Sequence, residues 1–335
     1  MKKILKDWAL IIAMMAGIIA FLVLDAMHLP ADIRKLLVSA VHIIQPLLIF
    51  SMLFLTFCKI SFAELRLSGW HLWLILFQGG IFLAIAFLLM GMPSGGLRII
   101  LEGAMLCLIC PTATAGAVIT RKLGGNAASI TTYTILINIL TALLVPALVP
   151  LVHPAAGVSF LSAGMQIMAK VFPLLLLPLL AAFLVRRFLP RLQSRLAEKQ
   201  EWSFYLWIVA LALALSVTTH TVVRTDISIG IQLGLVAISL ICCVMQFAIG
   251  RHIGHRYGDA VTAGQSLGQK NTVLAIWMGY TFFTPITALV GGFYSIWHNL
   301  INSAQLYRHA HPRSDHHQQH HQRHPEDQGN QAIPS

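Results

Sequence analysis

Residues 264–280 read GQSLGQKNTVLAIWMGY, a run in which Lys270 is enclosed by glycines, amides and apolar side chains. In water such a lysine would be an ordinary surface residue. In a lipid bilayer it would cost about 2.5 to 3.5 kcal/mol on insertion scales, and the charged residues that persist there generally serve a function. The solvent that this segment meets therefore decides both the fold and the role of Lys270.

The composition indicates a bilayer. Of the 335 residues, 57% are hydrophobic and only 10% are charged, and the mean hydropathy is +0.76. A soluble domain carries roughly 25% charged residues. Apolar runs of about 18 to 25 residues, long enough to cross the hydrocarbon core, recur along the chain. The sequence therefore predicts an all-α polytopic membrane protein.

We predict ten transmembrane segments, because ten apolar runs are separated by short polar or glycine-containing loops. The segments are 8–26, 34–56, 70–91, 97–119, 128–152, 163–188, 203–222, 228–250, 260–281 and 285–307.

The positively charged residues orient these segments. With the N-terminus in the cytoplasm, 17 Lys and Arg residues fall on the inner side and 4 on the outer side, while Lys170 and Lys270 lie within segments, which accounts for the 23 in the chain. This asymmetry follows the positive-inside rule. It predicts a multi-pass protein of the cell (inner) membrane with both termini in the cytoplasm. The net charge of +11 then reflects topology in the lipid bilayer rather than binding to nucleic acid.

The ten segments divide into two halves, 1–155 and 160–307, which enter the membrane in opposite orientations because each half has an odd number of segments. The fourth segment of each half contains a small, polar interruption, CPTATAGAVIT (110–120) and GQSLGQKN (264–271). Small residues also let ordinary membrane helices pack closely. Matching interruptions in two halves, however, are typical of a binding site between broken helices.

The last residues, 308–335, form a polar tail rich in His, Gln and Pro. It lacks apolar periodicity, so we predict a disordered cytoplasmic tail. Its histidines are compatible with opportunistic metal binding, but a solvated tail without a specific role is the favoured interpretation.

Two stretches resemble the bile acid:sodium symporter family, and the likeness extends to span count and layout over residues 1–307. CPTATAGAVITRKLGGNAASITTYT (110–134) resembles that family's CPGGTASN motif and the helix after it, and GQKNTVLAI (268–276) resembles its E-x-G-x-Q-N motif. The residues that match the family's opening motif and its closing WHN signature are Cys110, Pro111, Thr114, Ala115, Phe293, Ser295, Trp297, His298 and Asn299.

The resemblance implies two inverted five-helix repeats, with a core domain that carries the broken, crossing helices four and nine and a panel domain beside it. It also implies the transport of an organic anion together with sodium.

The sodium ligands of that family are largely replaced here. Where the resemblance implies serine, asparagine, serine, glutamate and glutamine ligands, this chain has Gly116, Ala117, Ile130, Ser266 and Lys270. Thr134 and Asn271 keep the family's residue types, and Gln78 aligns loosely with a helix-three glutamine. Sodium prefers hard oxygen ligands that include a carboxylate, and an ammonium at about 4 Å would repel it by about 4 kcal/mol at an effective dielectric of 20.

We therefore predict a secondary transporter of a small organic anion that works by alternating access, with the ammonium of Lys270 in place of sodium. Its hydrogen-bond acceptors would be Gln269, Asn271 and Thr134. The residues expected to bind substrate or ion are Lys270, Gln269, Asn271, Ser266, Thr134, Thr112, Thr114, Gln78, His298 and Asn299. No catalytic residue, metal site or cofactor is predicted.

Several alternatives stay open. Lys270 has a purely structural interpretation, and a degenerate sodium site, proton coupling and facilitated diffusion are all compatible with the sequence. An arsenite-type carrier would use Cys110 at the first interruption, whereas a proton antiporter normally supplies mid-span aspartates, which this chain lacks. An intramembrane enzyme or a sensor is disfavoured because no HExxH-like motif is present and the loops are short. Substrate, direction of transport and oligomeric state are not set by the sequence.

Overall fold

The chain folds into α-helices throughout the part that the computed structural model describes, residues 9–28, 30–59, 64–154, 157–198, 200–224 and 227–311. Within these ranges there are thirteen helices and no strand. They are α1 (Ala9–Ala26), α2 (Ala31–Cys58), α3 (Gly69–Met90), α4 (Gly96–Ile109), α5 (Gly116–Lys122), α6 (Ala127–Val152), α7 (Phe160–Phe188), α8 (Pro190–Glu198), α9 (Gln200–Arg224), α10 (Ile229–His255), α11 (Ala260–Gly268), α12 (Thr272–Phe282) and α13 (Pro285–Ala310).

Each predicted segment coincides with one helix or with an interrupted pair. The fourth predicted segment corresponds to α4 and α5 and the ninth to α11 and α12, while the other eight each correspond to a single helix. Helix α13 continues to Ala310, so it includes the first residues of the predicted tail. The rest of that tail, 312–335, lies outside the described residues.

Six of the described helices contain a stretch long and apolar enough to cross a membrane, in α2, α3, α6, α7, α9 and α10. Large apolar side chains on their outer surfaces are exposed, for example Leu72 by 60% and Phe87 by 62%. Apolar exposure on this scale is unusual for a protein in water and normal for one in lipid. The prediction of an all-α polytopic membrane protein is confirmed as far as the helical content of the described residues and the six candidate spans go.

One helix was not predicted. The nine-residue helix α8, with the sequence PRLQSRLAE, follows α7 directly after Leu189. The apolar pattern does not reveal this helix, because it is too short and too polar to register as a span, and its arginines are among the positive charges on the predicted inner side.

The helices pack in two groups. One group consists of α1, α2, α7 and α9, and the other contains α3, α4, α5, α6, α10, α11, α12 and α13. The groups meet where α6 contacts α7, where α9 contacts α13, and where α12 contacts α2 and α9. The two interrupted pairs belong to the second group, so the crossing described below lies beside the boundary between the groups.

A buried carboxylate joins several helices of the second group. Glu102 of α4 is 1% exposed, and its Oε1 atom lies 3.0 Å from Nε of Arg98 and 3.0 Å from Nε2 of His153. The hydroxyl of Thr287, near the start of α13, donates to the other carboxylate oxygen at 3.3 Å. Arg98 and Glu102 thus form an i, i+4 ion pair on α4, and the hydroxyl of Thr287 extends it.

The guanidinium of Arg98 also satisfies helix ends. It donates to the carbonyls of Leu89 at 2.9 Å and Met92 at 2.5 Å, at the end of α3, and to that of Val152 at 2.6 Å, the last residue of α6. The final carbonyls of a helix have no partner within the helix, so they need such donors. One ion pair therefore ties the ends of α3, α4, α6 and α13 together.

We expect the substitution Glu102→Gln to destabilise the fold by about 3 kcal/mol, because it leaves the largely buried Arg98 without its counter-charge. Thermal unfolding of the purified protein in detergent would measure the effect. The exposed Glu64 provides the matched control, since Glu64→Gln removes the same charge from the surface. Equal melting temperatures for the two variants would contradict a structural role for this ion pair.

Candidate functional site

The two helix interruptions have local causes. In the first, Cys110 has an extended backbone (ψ 130°) immediately before Pro111, because a proline disfavours the helical conformation of the residue before it. In the second, Gly268 ends α11, and α12 begins after Asn271, whose side-chain oxygen accepts a hydrogen bond from the backbone N–H of Leu274 at 3.2 Å. An asparagine in this position is a strong start signal for a helix.

The two interruptions pair with each other through their backbones. The N–H of Ala113 donates to the carbonyl of Gln269 at 2.9 Å, and the N–H of Asn271 donates to the carbonyl of Pro111 at 2.9 Å. Thr112 and Lys270 thereby form an isolated antiparallel bridge. Backbone groups freed by the breaks in the two helices thus find partners inside the protein, as they must where water is absent.

Side chains reinforce the crossing. The hydroxyl of Thr112 donates to the carbonyl of Ser266 at 2.6 Å, in the last turns of α11. The thiol of Cys110 donates to the carbonyl of Asn271 at 3.0 Å. The two interruptions are therefore joined by hydrogen bonds from both main-chain and side-chain groups.

Lys270 lies within this crossing and is only 1% exposed. Its Nζ atom is 3.4 Å from the carbonyl oxygen of Leu108, in the last turn of α4. The carbonyls at the C-terminus of a helix carry partial negative charge, which favours a cation there. No salt bridge in the described part of the chain includes Lys270, so its ammonium contacts backbone dipoles rather than a carboxylate.

Four cysteines are the ionisable neighbours of Lys270: Cys107 and Cys110 at the end of α4, and Cys242 and Cys243 on α10. All four are buried and unpaired by disulfides. Neutral thiols behave as small apolar groups with weak hydrogen-bonding capacity. As neutral groups they do not supply a counter-charge to the lysine.

A glutamine and a tyrosine hold the first interruption. Gln78 of α3 donates from Nε2 to the carbonyl of Cys110 at 3.2 Å. Tyr133 of α6 donates its hydroxyl to Oε1 of the same glutamine at 2.7 Å. Both side chains are fully buried.

A second glutamine and tyrosine hold the other interruption. Tyr294 of α13 donates its hydroxyl to the carbonyl of Gly268 at 2.8 Å, and Gln246 of α10 donates to the tyrosine oxygen at 3.1 Å. Gln246 also reaches the carbonyl of Cys107 at 3.5 Å. Each predicted half therefore places a glutamine from its third segment and a tyrosine from its fifth beside its own broken helix.

Of these four residues, sequence reasoning identified only Gln78. Buried tyrosines in apolar helices need a partner for their hydroxyl groups. The presence of Tyr133 and Tyr294 in such helices therefore indicates that each hydroxyl makes a buried hydrogen bond. The sequence does not reveal which backbone group accepts each hydroxyl.

Three predicted site residues present buried polar atoms that make no hydrogen bond within the described structure. They are the hydroxyl oxygen of Ser266 and Oε1 of Gln269, both at the crossing, and Nδ1 of His298 on α13. A Cβ atom added to Gly116, at the start of α5, would lie 3.7 Å from the Gln269 oxygen. Buried polar atoms normally have partners, so the Ser266 and Gln269 oxygens are the atoms at the crossing that are best placed to meet a ligand.

The remaining predicted residues lie around this centre or on neighbouring helices. Thr114 is half-buried within the first interruption, and the hydroxyl of Thr134 donates to the carbonyl of Ile130 on its own helix at 2.9 Å. His298 is buried with its ring edge-on to that of Tyr294 at 5.8 Å. Asn299 donates to the carbonyl of Ser295 on its own helix at 2.7 Å.

An apolar groove of about 590 Å³ lies elsewhere, between α3 and α6. Leu72, Ile75, Leu140 and Leu143 are among its lining residues, which include no residue of either interruption. Such a surface suits hydrocarbon rather than a charged ligand, so the crossing remains the candidate site.

We expect Tyr294→Phe to lower the free energy of unfolding by about 1 to 3 kcal/mol, because the Gly268 carbonyl and the Gln246 amide lose a buried partner. Thermal unfolding in detergent would detect the change. Tyr307→Phe makes the same substitution at an exposed position of α13 and serves as the control. If both variants melt like the unsubstituted protein, Tyr294 does not support the crossing.

The chain matches one family model, described as the SBF-like CPA transporter family, over residues 12–298. The match includes both interruptions and most of the chain. No curated protein matches the sequence significantly.

Proposed function

The chain belongs to the SBF-like CPA transporter family and is a multi-pass membrane transporter rather than an enzyme; we propose that it carries a small organic anion by alternating access, with Lys270 in place of a sodium ion. The observation that carries this proposal is the burial of Lys270 at the crossing of two broken helices, with its ammonium at the end of α4.

We further propose that the fold consists of two inverted five-helix repeats. The two interrupted pairs, α4/α5 and α11/α12, occupy the fourth place in each half. The glutamine–tyrosine pairs Gln78–Tyr133 and Gln246–Tyr294 support the same symmetry, since each comes from the third and fifth places of its half. Matched broken helices are the usual location of a transport site in inverted-repeat carriers.

The two helix groups would act as the panel and core domains. Two hydrogen bonds join α12 to the other group across a shared apolar core: Gln45 of α2 donates to the carbonyl of Val273 at 3.2 Å, and Tyr280 of α12 donates to the carbonyl of Val217 at 3.0 Å. Relative movement of the groups would exchange these hydrogen bonds and expose the crossing alternately to each side. The distribution of Lys and Arg supports cytoplasmic termini in the inner membrane.

The donor set at the crossing disfavours ordinary sodium coupling. No salt bridge of the described chain brings a carboxylate to Lys270. A hard cation needs several oxygen ligands, whereas the pairing of the two interruptions already uses the carbonyls of Pro111 and Gln269. A fixed ammonium would preorganise the crossing electrostatically for an anion. The unpartnered oxygens of Ser266 and Gln269 would accept hydrogen bonds from a donor group of the substrate or from a water molecule.

Sodium independence is testable in proteoliposomes. A panel of labelled sterol-like acids, keto acids, pantoate-like metabolites and sulfonated anions would be offered in sodium buffer and in choline buffer. We expect uptake of the accepted anion to be equal in the two buffers, because the cation position is already filled. Complete loss of uptake in choline would overturn the proposal. An imposed pH gradient then separates proton coupling from facilitated diffusion.

The role of Lys270 is testable with the variant Lys270→Met, which keeps the length of the side chain and removes its charge. We expect at least a tenfold loss of uptake, about 1.4 kcal/mol. Lys170→Met makes the same change at an exposed lysine of α7 and should leave uptake unaltered. If Lys270→Met transports normally and Lys170→Met also does, the lysine is structural and the proposed mechanism fails.

A further inference from the structure

Helix α8 occupies a defined position relative to the membrane. It joins α7 to α9, both of which contain candidate spans, at Phe160–Phe188 and Tyr205–Arg224. A nine-residue helix between two consecutive spans lies at one face of the bilayer, because the second span must start where the first one ends. Helix α8 is therefore an element of the membrane–water boundary.

A hydrogen bond fixes α8 to a third span. Nε2 of Gln193 donates to the carbonyl of Cys58, the last residue of α2, at 2.6 Å. The end of α2, the end of α7 and the start of α9 therefore meet around α8. This places α8 with the helix group formed by α1, α2, α7 and α9.

The helix and the turn before it carry exposed apolar side chains. Phe188 is 70% exposed, Leu189 is 53% exposed and Leu192 is 44% exposed. Leucines at positions 189, 192 and 196 follow the three- and four-residue spacing of one helix face. Leu196 packs against the protein core, so Phe188, Leu189 and Leu192 are the exposed part of that face. In water these side chains would be a liability, whereas at a bilayer surface they insert between acyl chains.

Arginines accompany this apolar face. Arg191 and Arg195 are exposed and lie one turn apart on α8, so their side chains extend from the same face. Arg187 is also exposed, and its guanidinium lies 5.8 Å from the centre of the Phe188 ring. The salt bridges found in the described residues lie elsewhere, at Arg98 and Arg224, so these three guanidinium groups have no carboxylate partner there.

We propose that α8 is an interfacial helix that binds the headgroups of anionic phospholipids through Arg187, Arg191 and Arg195. Guanidinium groups pair with phosphate oxygens through two parallel hydrogen bonds. Basic residues beside an inserted apolar face draw an amphipathic helix to anionic lipid. A free phosphate ion would satisfy the arginines but not the exposed Phe188, Leu189 and Leu192, so the lipid is the ligand that fits both faces.

Lipid binding at α8 would hold its helix group at the membrane surface while the group with the crossing moves. This anchoring role rests on the proposed transport function. The lipid binding itself does not, and its failure would leave the Lys270 mechanism untouched.

The test uses the full-length protein in detergent, titrated with phosphatidylglycerol or phosphatidylcholine and monitored by native mass spectrometry. We expect Arg191→Gln/Arg195→Gln to weaken phosphatidylglycerol binding on the order of 30-fold, from about a factor of five per arginine near a charged surface. Binding of phosphatidylcholine should not change. Arg34→Gln/Lys35→Gln removes two exposed charges at the start of α2 and should retain phosphatidylglycerol binding.

A second variant separates charge from folding. Arg191→Lys/Arg195→Lys keeps both charges and should retain most phosphatidylglycerol binding. Equal phosphatidylglycerol affinity in the Gln double variant and the unsubstituted protein would overturn the proposal. Displacement of the lipid by millimolar inorganic phosphate would also overturn it, because it would show that a free anion suffices.

Discussion

The antiparallel bridge between Thr112 and Lys270 is the interaction on which the site depends. Two helices are interrupted in the interior of a membrane protein, and an interrupted helix exposes N–H and C=O groups that hydrocarbon cannot satisfy. Here each interruption supplies the partners of the other, through the pairs Ala113–Gln269 and Asn271–Pro111. Neither break would be stable alone, so the two halves of the chain are coupled at this point.

The bridge also explains how a lysine can be buried without a carboxylate. Because Lys270 is within the paired backbone, its side chain is directed to the end of α4, where the Leu108 carbonyl lies 3.4 Å from Nζ. Sequence reasoning expected Gln269, Asn271 and Thr134 to accept from the ammonium. In the structure the Asn271 side chain caps α12 and Thr134 donates to its own helix, so the helix end takes that role.

The sequence was sufficient for the apolar segments, the two interruptions and the position of Lys270 within one of them, because each is a local pattern of composition. It was insufficient for contacts between distant segments. Tyr133, Gln246 and Tyr294 look like ordinary residues of apolar helices until their carbonyl and amide partners are known. Helix α8 was not predicted for another reason. Its nine residues are polar on average, and its attachment to Cys58 is a contact between distant segments.

Small and polar residues lie at the boundary between the two helix groups. Gly292 of α13 faces Thr218 of α9 so closely that an added Cβ would lie 2.8 Å from its methyl carbon, and Tyr280 bonds to the Val217 carbonyl and to Thr221. The absence of a side chain at Gly292 lets α13 approach α9 closely at Thr218. The hydroxyl of Tyr280 bonds to groups one turn apart on α9. The crossing itself is held by main-chain pairing and by the four buried glutamine and tyrosine side chains. This bracing fixes Lys270 and its unpartnered neighbours Ser266 and Gln269 within one unit.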